Sequence, residues 1–162
     1  MKNKEFHTVR GYQLIEQNKR LLTPAMEDYL EMIYRYSLDQ DYIRINQLAE
    51  KLNVRASSAT RMVQKLGELK LLKYEKYGII TLTEKGKEMG KFLLDRHITI
   101  EAFLKNIGSK NKLYETELIE HNISMDTLKN IDLLNRFLKK HPEILKWFEE
   151  YKAIHKKSED FS

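Results

Sequence analysis

Apolar residues recur along most of the chain at spacings of three and four, the period of a helix with one face turned inward. Thr23 and Pro24 open the first such segment, a cap and a first-turn proline ahead of the stripe Met26, Leu30, Ile33 and Tyr34. Ile43-Arg44-Ile45 reads as a short strand. A second helix spans about Asn46 to Leu52, Asn53-Val54 makes a tight turn, and a third helix runs from about Ala56 to Leu69 with Ala59, Met62, Val63 and Leu66 inward. Leu72 to Tyr77 and Ile79 to Leu82 form two strands joined at Gly78. Thr83 caps a long helix that Gly108 stops after Ile107; its stripe is Met89, Phe92, Leu93, Ile100, Phe103 and Leu104. Three shorter helices follow: Leu113 to about His121, one capped by Ser124 (Leu128, Ile131, Leu134, Phe137, Leu138), and one opened by Pro142 (Ile144, Leu145, Trp147, Phe148, Tyr151).

Helix, tight turn, helix and two-stranded ribbon in that order predict a winged helix-turn-helix. The fold class is therefore mainly α: an N-terminal winged helix-turn-helix with a small β wing, then a C-terminal helical domain. The divisions expected are an extension over 1–22, the winged unit over 23–90, the helical domain over 91–155 and a tail over 156–162.

The second helix of such a unit enters the major groove, so its outward face should carry donors and acceptors. Ser57, Ser58, Thr60, Arg61, Gln64 and Lys65 occupy that face, with Arg55 just before it and Lys76 in the wing. Between Lys51 and Lys76 seven basic residues meet only Glu68 and Glu75. A net charge of +5 over the whole chain agrees with a nucleic-acid partner, double-stranded DNA being the one this unit fits. Cytoplasm is the expected location: Met1 to Phe6 lacks an apolar signal core, and no apolar run is long enough to span a membrane.

The chain has no cysteine, so any metal must be held by oxygen and nitrogen. Asp28 and Glu31 lie three apart on the first helix; Glu117, Glu120 and His121 lie at i, i+3 and i+4 on the short one; His97 sits within the long one. If these faces converge they offer four carboxylates and two imidazoles, a donor set for Mn(II), Fe(II) or Co(II). Four carboxylates gathered without a cation would repel, so such a site should be loose when empty and rigid when filled.

Several strings add a resemblance: Thr23-Pro-Ala-Met-Glu-Asp-Tyr-Leu-Glu-Met-Ile-Tyr34, Ser57-Ser58, Met62 to Leu66, Tyr74-Glu-Lys-Tyr77, Leu82-Thr83, Lys85-Gly-Lys87, Arg96-His97 and Ile119-Glu-His121. Over about residues 23 to 150 they resemble the diphtheria-toxin-repressor family, closest to its manganese transport regulator branch. The resemblance implies a dimeric, metal-activated repressor of metal-uptake genes, not an enzyme. It places the metal ligands at Asp28, Glu31, His97, Glu117, Glu120 and His121. Because the branch has an aspartate and a glutamate where Asp28 and Glu117 stand, it implies Mn(II) over Fe(II). Three features depart from the pattern: the extension 1–22, Ala56 where proline is frequent, and Gly78 where the wing can carry a basic residue.

The implied mechanism has metal joining Asp28 and Glu31 of the DNA-binding half to the other four ligands. In a homodimer that would set the distance between two recognition helices on a palindromic operator. Phe103, Leu128, Ile131, Leu134 and Phe137 are the expected dimer surface. The competing readings are an Fe(II)-responsive repressor, a metal-independent winged-helix regulator and, less favoured, a di-metal carboxylate enzyme.

Overall fold

The computed structural model describes residues 21–159, which divide into two compact units, one ending at Asp95 and the other beginning at Arg96. The expected extension therefore lies almost wholly outside the described residues. In the first unit, α1 (Pro24–Ser37) starts at Thr23, whose hydroxyl accepts from the Met26 amide, and it buries Met26, Tyr29, Leu30 and Ile33. Burial raises the pKa of the Tyr29 phenol, and burial followed by the nearby Asp95 charge raises that of Tyr34, so both rings stay neutral.

A short strand β1 (Ile43–Arg44) leads directly into α2 (Ile45–Lys51), and α3 (Ala56–Glu68) follows a tight turn. Ile45 is thus the first residue of a helix rather than the end of a strand. In the turn Asn53 takes a φ of 51°, a conformation asparagine tolerates better than most, and the Val54 amide donates to the Ala49 carbonyl at 2.9 Å. After α3 the chain reverses through Lys70, at a φ of 59°, and the Leu71 amide closes the helix end on the Leu66 carbonyl.

Strands β2 (Leu72–Tyr74) and β3 (Ile79–Leu82) form an antiparallel wing in the register Leu72 to Leu82, and β1 pairs with the other edge of β3. The first wing strand is shorter than the expected Leu72–Tyr77. Lys76 to Gly78 form a turn instead, because Tyr77 and Gly78 both have positive φ and leave the ladder. Gly78 is required there twice over: its φ is +73°, and a Cβ would lie 2.8 Å from the Ile45 side chain.

Helix α4 (Glu84–Ile107) is fixed at its start by Thr83, whose hydroxyl accepts from the Gly86 amide and donates back to the loop carbonyls of Lys70 or Leu71. Met89, Phe92 and Leu93 carry its buried stripe through the first unit. In the second unit α4 continues to Ile107, followed by α5 (Lys112–Ile119), α6 (Met125–Lys140) and α7 (Pro142–Glu159). The last helix thus runs past the expected start of the tail at residue 156. Asn135 donates to the Thr99 carbonyl and accepts from Asn106, tying α6 to α4, while Ile100, Leu104 and Leu128 are buried. Lys152 donates to the Ile107 carbonyl at the end of α4, where Gly108 turns the chain at a φ of +83°.

Two glycines inside helices separate tight packing from intrinsic propensity. A Cβ on Gly86 would meet the Leu71 carbonyl oxygen at 1.8 Å, whereas one on Gly67 would meet nothing nearer than 3.8 Å. Gly86→Ala is expected to destabilise by about 1–3 kcal/mol through overpacking. Gly67→Ala should stabilise by about 0.4–1 kcal/mol. Urea unfolding of the two variants checks the contrast.

Candidate metal centre and nucleic-acid interface

Helix α3 buries Ala59, Val63 and Leu66 and half-buries Met62, which leaves Ser57, Ser58, Arg61, Gln64 and Lys65 exposed on the opposite face. Arg55, the residue before the helix, is exposed as well, and so is Lys76 at the wing. The exposed hydroxyls stand at the helix start, where the first amides also lack helical partners. Thr60 differs from its neighbours: it is half-buried, and its hydroxyl donates to the Ala56 carbonyl at 2.9 Å. Its hydrogen is committed, so in this rotamer Thr60 has no donor for a phosphate. At the wing tip Tyr77 is 86% exposed, and Arg44 holds its carbonyl at 3.4 Å.

Among the candidate ligands on α1, Asp28 is half-buried and Glu31 is buried. Glu31 accepts from Arg35 through both Nη2 and Nε, at 2.5 and 2.9 Å. Arg35 did not figure among the sequence candidates, although its i+4 spacing to Glu31 was the signal that could have found it.

The second unit gathers His97, Glu117, Glu120 and His121. Helix α5 ends at Ile119, so Glu120 is its C-cap and His121 stands in the following turn. Glu120 keeps helical backbone angles, φ −61° and ψ −32°, and its amide still donates to the Thr116 carbonyl, so Glu117 and Glu120 both face His97. His97 Nδ1 lies 3.2 Å from Glu120 Oε2 and 3.7 Å from Glu117 Oε1. His121 Nε2 lies 3.9 Å from Glu120 Oε1. Octahedral coordination with bonds of about 2.1 Å sets neighbouring ligand atoms roughly 3 Å apart, so the His97–Glu120 spacing suits two ligands on one ion. Glu120 is 1% exposed and His97 4%, whereas the Glu117 side chain is about half exposed. A carboxylate this deeply withdrawn from water needs compensating donors or a cation. Nitrogen and carboxylate oxygen together are the chemistry that divalent first-row metals take.

Arg96 was not among the sequence candidates for this cluster. It is buried, and its Nη2 lies 3.3 Å from His121 Nδ1. Among 29 lysines and arginines nothing in its own spacing marked it out.

Two family models divide the chain in the same sense. The iron dependent repressor N-terminal DNA binding domain matches residues 21–80, and the iron dependent repressor metal binding and dimerisation domain matches 83–149. The chain belongs to the iron-dependent repressor family. Curated relatives named HTH-type transcriptional regulator MntR agree. The one from Listeria innocua is 42% identical over 130 residues, 79% of this chain and 92% of that protein. The one from Bacillus pumilus is 43% identical over 141 residues, 86% and 96% of the two chains. Among solved structures, the manganese regulator SloR superposes with a TM-score of 0.61 at 34% identity, covering 73% of this chain. A manganese-dependent transcriptional repressor in complex with manganese gives 0.63 at 32% over 69%. The chain spans just over half the length of those two structures, 55% and 53%.

This repressor is therefore a metal-dependent, DNA-binding transcriptional regulator with a winged helix-turn-helix and a helical metal-binding and dimerisation domain. Its family consists of transcriptional regulators rather than enzymes. Among the described residues no helix is long and apolar enough to cross a membrane.

The residues expected at the dimer surface separate by burial. Leu134 and Phe137 on α6 are exposed, and Phe103 and Ile131 are half-buried. Leu128 is wholly buried, because the first turn of α6 faces the interior; it belongs to the protomer core and offers no surface. Trp147, Tyr151 and Ile154 on α7 form a further exposed apolar row at helical spacing.

The α3 geometry makes a contrast that DNA binding can read. Arg61→Ala should weaken binding and lower the slope of log affinity against log salt by about 0.9, the contribution of one phosphate contact. Thr60→Val should leave affinity nearly unchanged, since the hydroxyl's hydrogen is already used by Ala56. Fluorescence anisotropy over a salt series measures both.

Proposed function

We propose that this repressor is activated by Mn(II), held by Asp28, Glu31, His97, Glu117, Glu120 and His121, and that it represses metal-uptake genes from a palindromic operator as a cytoplasmic homodimer. The observation that carries the metal reading is the buried Glu120 carboxylate with two imidazoles and a second carboxylate beside it. Supporting Mn(II) are the absence of cysteine, the relatives named as MntR, and the solved neighbour in complex with manganese. Asp28 and Glu31 enter the ligand set on residue type and on family resemblance.

When bound, the metal supplies positive charge to the carboxylates and fixes the groups that hold it. His97 and His121 would give neutral imidazole nitrogens; Glu117 and Glu120 would give carboxylate oxygens. Because Asp28 and Glu31 belong to the unit that carries α3, a ligand set drawn from both units couples metal binding to DNA binding. Couplings of this kind amount to about 1–3 kcal/mol, or roughly 5- to 150-fold in affinity. The exposed face of α3 would enter the major groove, with Arg55, Ser57, Ser58, Arg61, Gln64 and Lys65 meeting phosphates or base edges and Lys76 contributing from the wing. Phe103, Ile131, Leu134 and Phe137 remain the proposed dimer surface.

Titration followed by the electron paramagnetic resonance signal of free Mn(II) tests the ligand set. Wild type should take up Mn(II). Glu120→Gln should weaken uptake at least about tenfold, equal to about 1.4 kcal/mol, and Asp28→Asn should weaken it as well. Uptake unchanged in Glu120→Gln contradicts the assignment. Fe(II) accepts the same donors, so anaerobic competition between the two ions ranks them directly.

A further inference from the structure

The tip of the wing presents a side chain that contributes little to the fold. Tyr77 is 86% exposed, and its φ of 64° places a bulky residue in the left-handed region, a strained backbone with no burial of the ring to offset it. Gly78, next to it, cannot carry a side chain, because a Cβ would lie 2.8 Å from Ile45. The tip therefore sits directly over the start of α2. Arg44 stands at that start, and its amide donates to Gln47 Oε1 at 3.0 Å, which fixes the backbone there. Its guanidinium reaches the tip: Nη1 donates to the Tyr77 carbonyl at 3.4 Å, and the group lies 5.9 Å from the centre of the Tyr42 ring, itself 43% exposed. Arg44 is exposed, and among the described residues no carboxylate pairs with it. A guanidinium has five donors and stays charged. One long bond to a neutral carbonyl engages one of them and leaves the charge uncompensated. Lys76 precedes Tyr77, so two cations adjoin one exposed phenol.

We propose that Arg44 and Tyr77 are DNA-contacting residues: the Arg44 guanidinium takes a backbone phosphate beside the half-site, and the Tyr77 ring lies against the sugar–phosphate edge next to it. The inference rests on the proposed seating of α3 in the major groove and extends that interface to β1 and the wing tip. A phosphate is the better partner for Arg44, since a charge-assisted bond to an anion is shorter and stronger than a 3.4 Å bond to a carbonyl. The phenol suits the same neighbourhood, with a flat face for a sugar and a hydroxyl for a phosphate oxygen. Arg44 also supplies the cation that Gly78 cannot, because the tip is packed too closely on Ile45 to hold a basic side chain of its own. The rival role for Arg44 is a brace that only steadies the tip through the Tyr77 carbonyl. A brace would leave the number of phosphates contacted unchanged.

The test is fluorescence anisotropy of the full chain on a labelled duplex bearing an inverted repeat from a metal-uptake promoter, over a salt series at fixed Mn(II). Arg44→Gln should weaken binding at least threefold and lower the slope of log affinity against log salt by about 0.9 for each protomer bound. Arg44→Lys keeps the charge without the planar fork and should retain the wild-type slope. Tyr77→Gly suits a positive φ and removes the ring. It should weaken binding at least threefold at an unchanged slope, yet melt no lower than wild type in a thermal scan. An Arg44→Gln variant that loses affinity but keeps the wild-type slope is a brace, and the proposal is overturned. Tyr77→Gly binding as tightly as wild type overturns it as well. Arg61→Ala is the reference for the recognition helix. If that variant too leaves affinity and slope unchanged, the seating of α3 fails and the inference fails with it; if it alone weakens binding, α3 is seated as proposed and only the wing-tip contact is wrong.

Discussion

Glu120 sets the terms for the second unit. Its carboxylate is almost completely withdrawn from water, Glu117 stands within reach of the same imidazole, and charge of one sign cannot be gathered out of solvent without compensation. His97 lies against the Glu120 carboxylate, and Arg96 places its charge against the neighbouring His121 ring. A divalent cation would compensate several carboxylates at once. The surrounding architecture serves this constraint. α4 delivers Arg96 and His97 at consecutive positions of one helix, and the short α5 ends at Ile119 with Glu120 as its cap, so that His121 follows beside it.

The first unit meets a different demand, that of presenting polar groups on a rigid support. Its core residues Leu30, Leu48, Ala59, Val63, Leu66, Leu71, Ile80 and Met89 are buried on α1 to α4 and the small sheet, and the face of α3 that they do not use is left to solvent. Close packing keeps that face fixed. Gly86 lets α4 start against the Leu71 carbonyl, and Gly78 lets the wing turn close over Ile45. In the proposed mechanism, control comes from where such a helix stands rather than from what it carries.

Much of this was legible in the sequence because it rests on short-range rules. Thr23-Pro24, Thr83 and Ser124 marked helix starts through cap chemistry, and Gly108 marked an end through its positive φ. The alternation from helical period to strand period located the wing. The misses came where tertiary contacts decide. Tyr77 leaves the ladder at a positive φ of 64°, which a tyrosine in a strand-like run does not announce. Leu128 has the right residue type for a surface role, yet it is sealed in the core. Arg96 stood in one of the family-like strings, but its contact with a ring 25 positions away had no signal of its own.

Fluorescence anisotropy of a labelled duplex bearing an inverted repeat from a metal-uptake promoter, at fixed salt, in chelator and then in Mn(II), tests the central claim most directly when wild type is set beside Glu117→Ala. The account predicts that Mn(II) tightens binding by wild type within the roughly 5- to 150-fold range expected of such coupling, and that the variant loses the gain while retaining its chelator-state affinity. Equal affinity of wild type in chelator and in Mn(II) would contradict it.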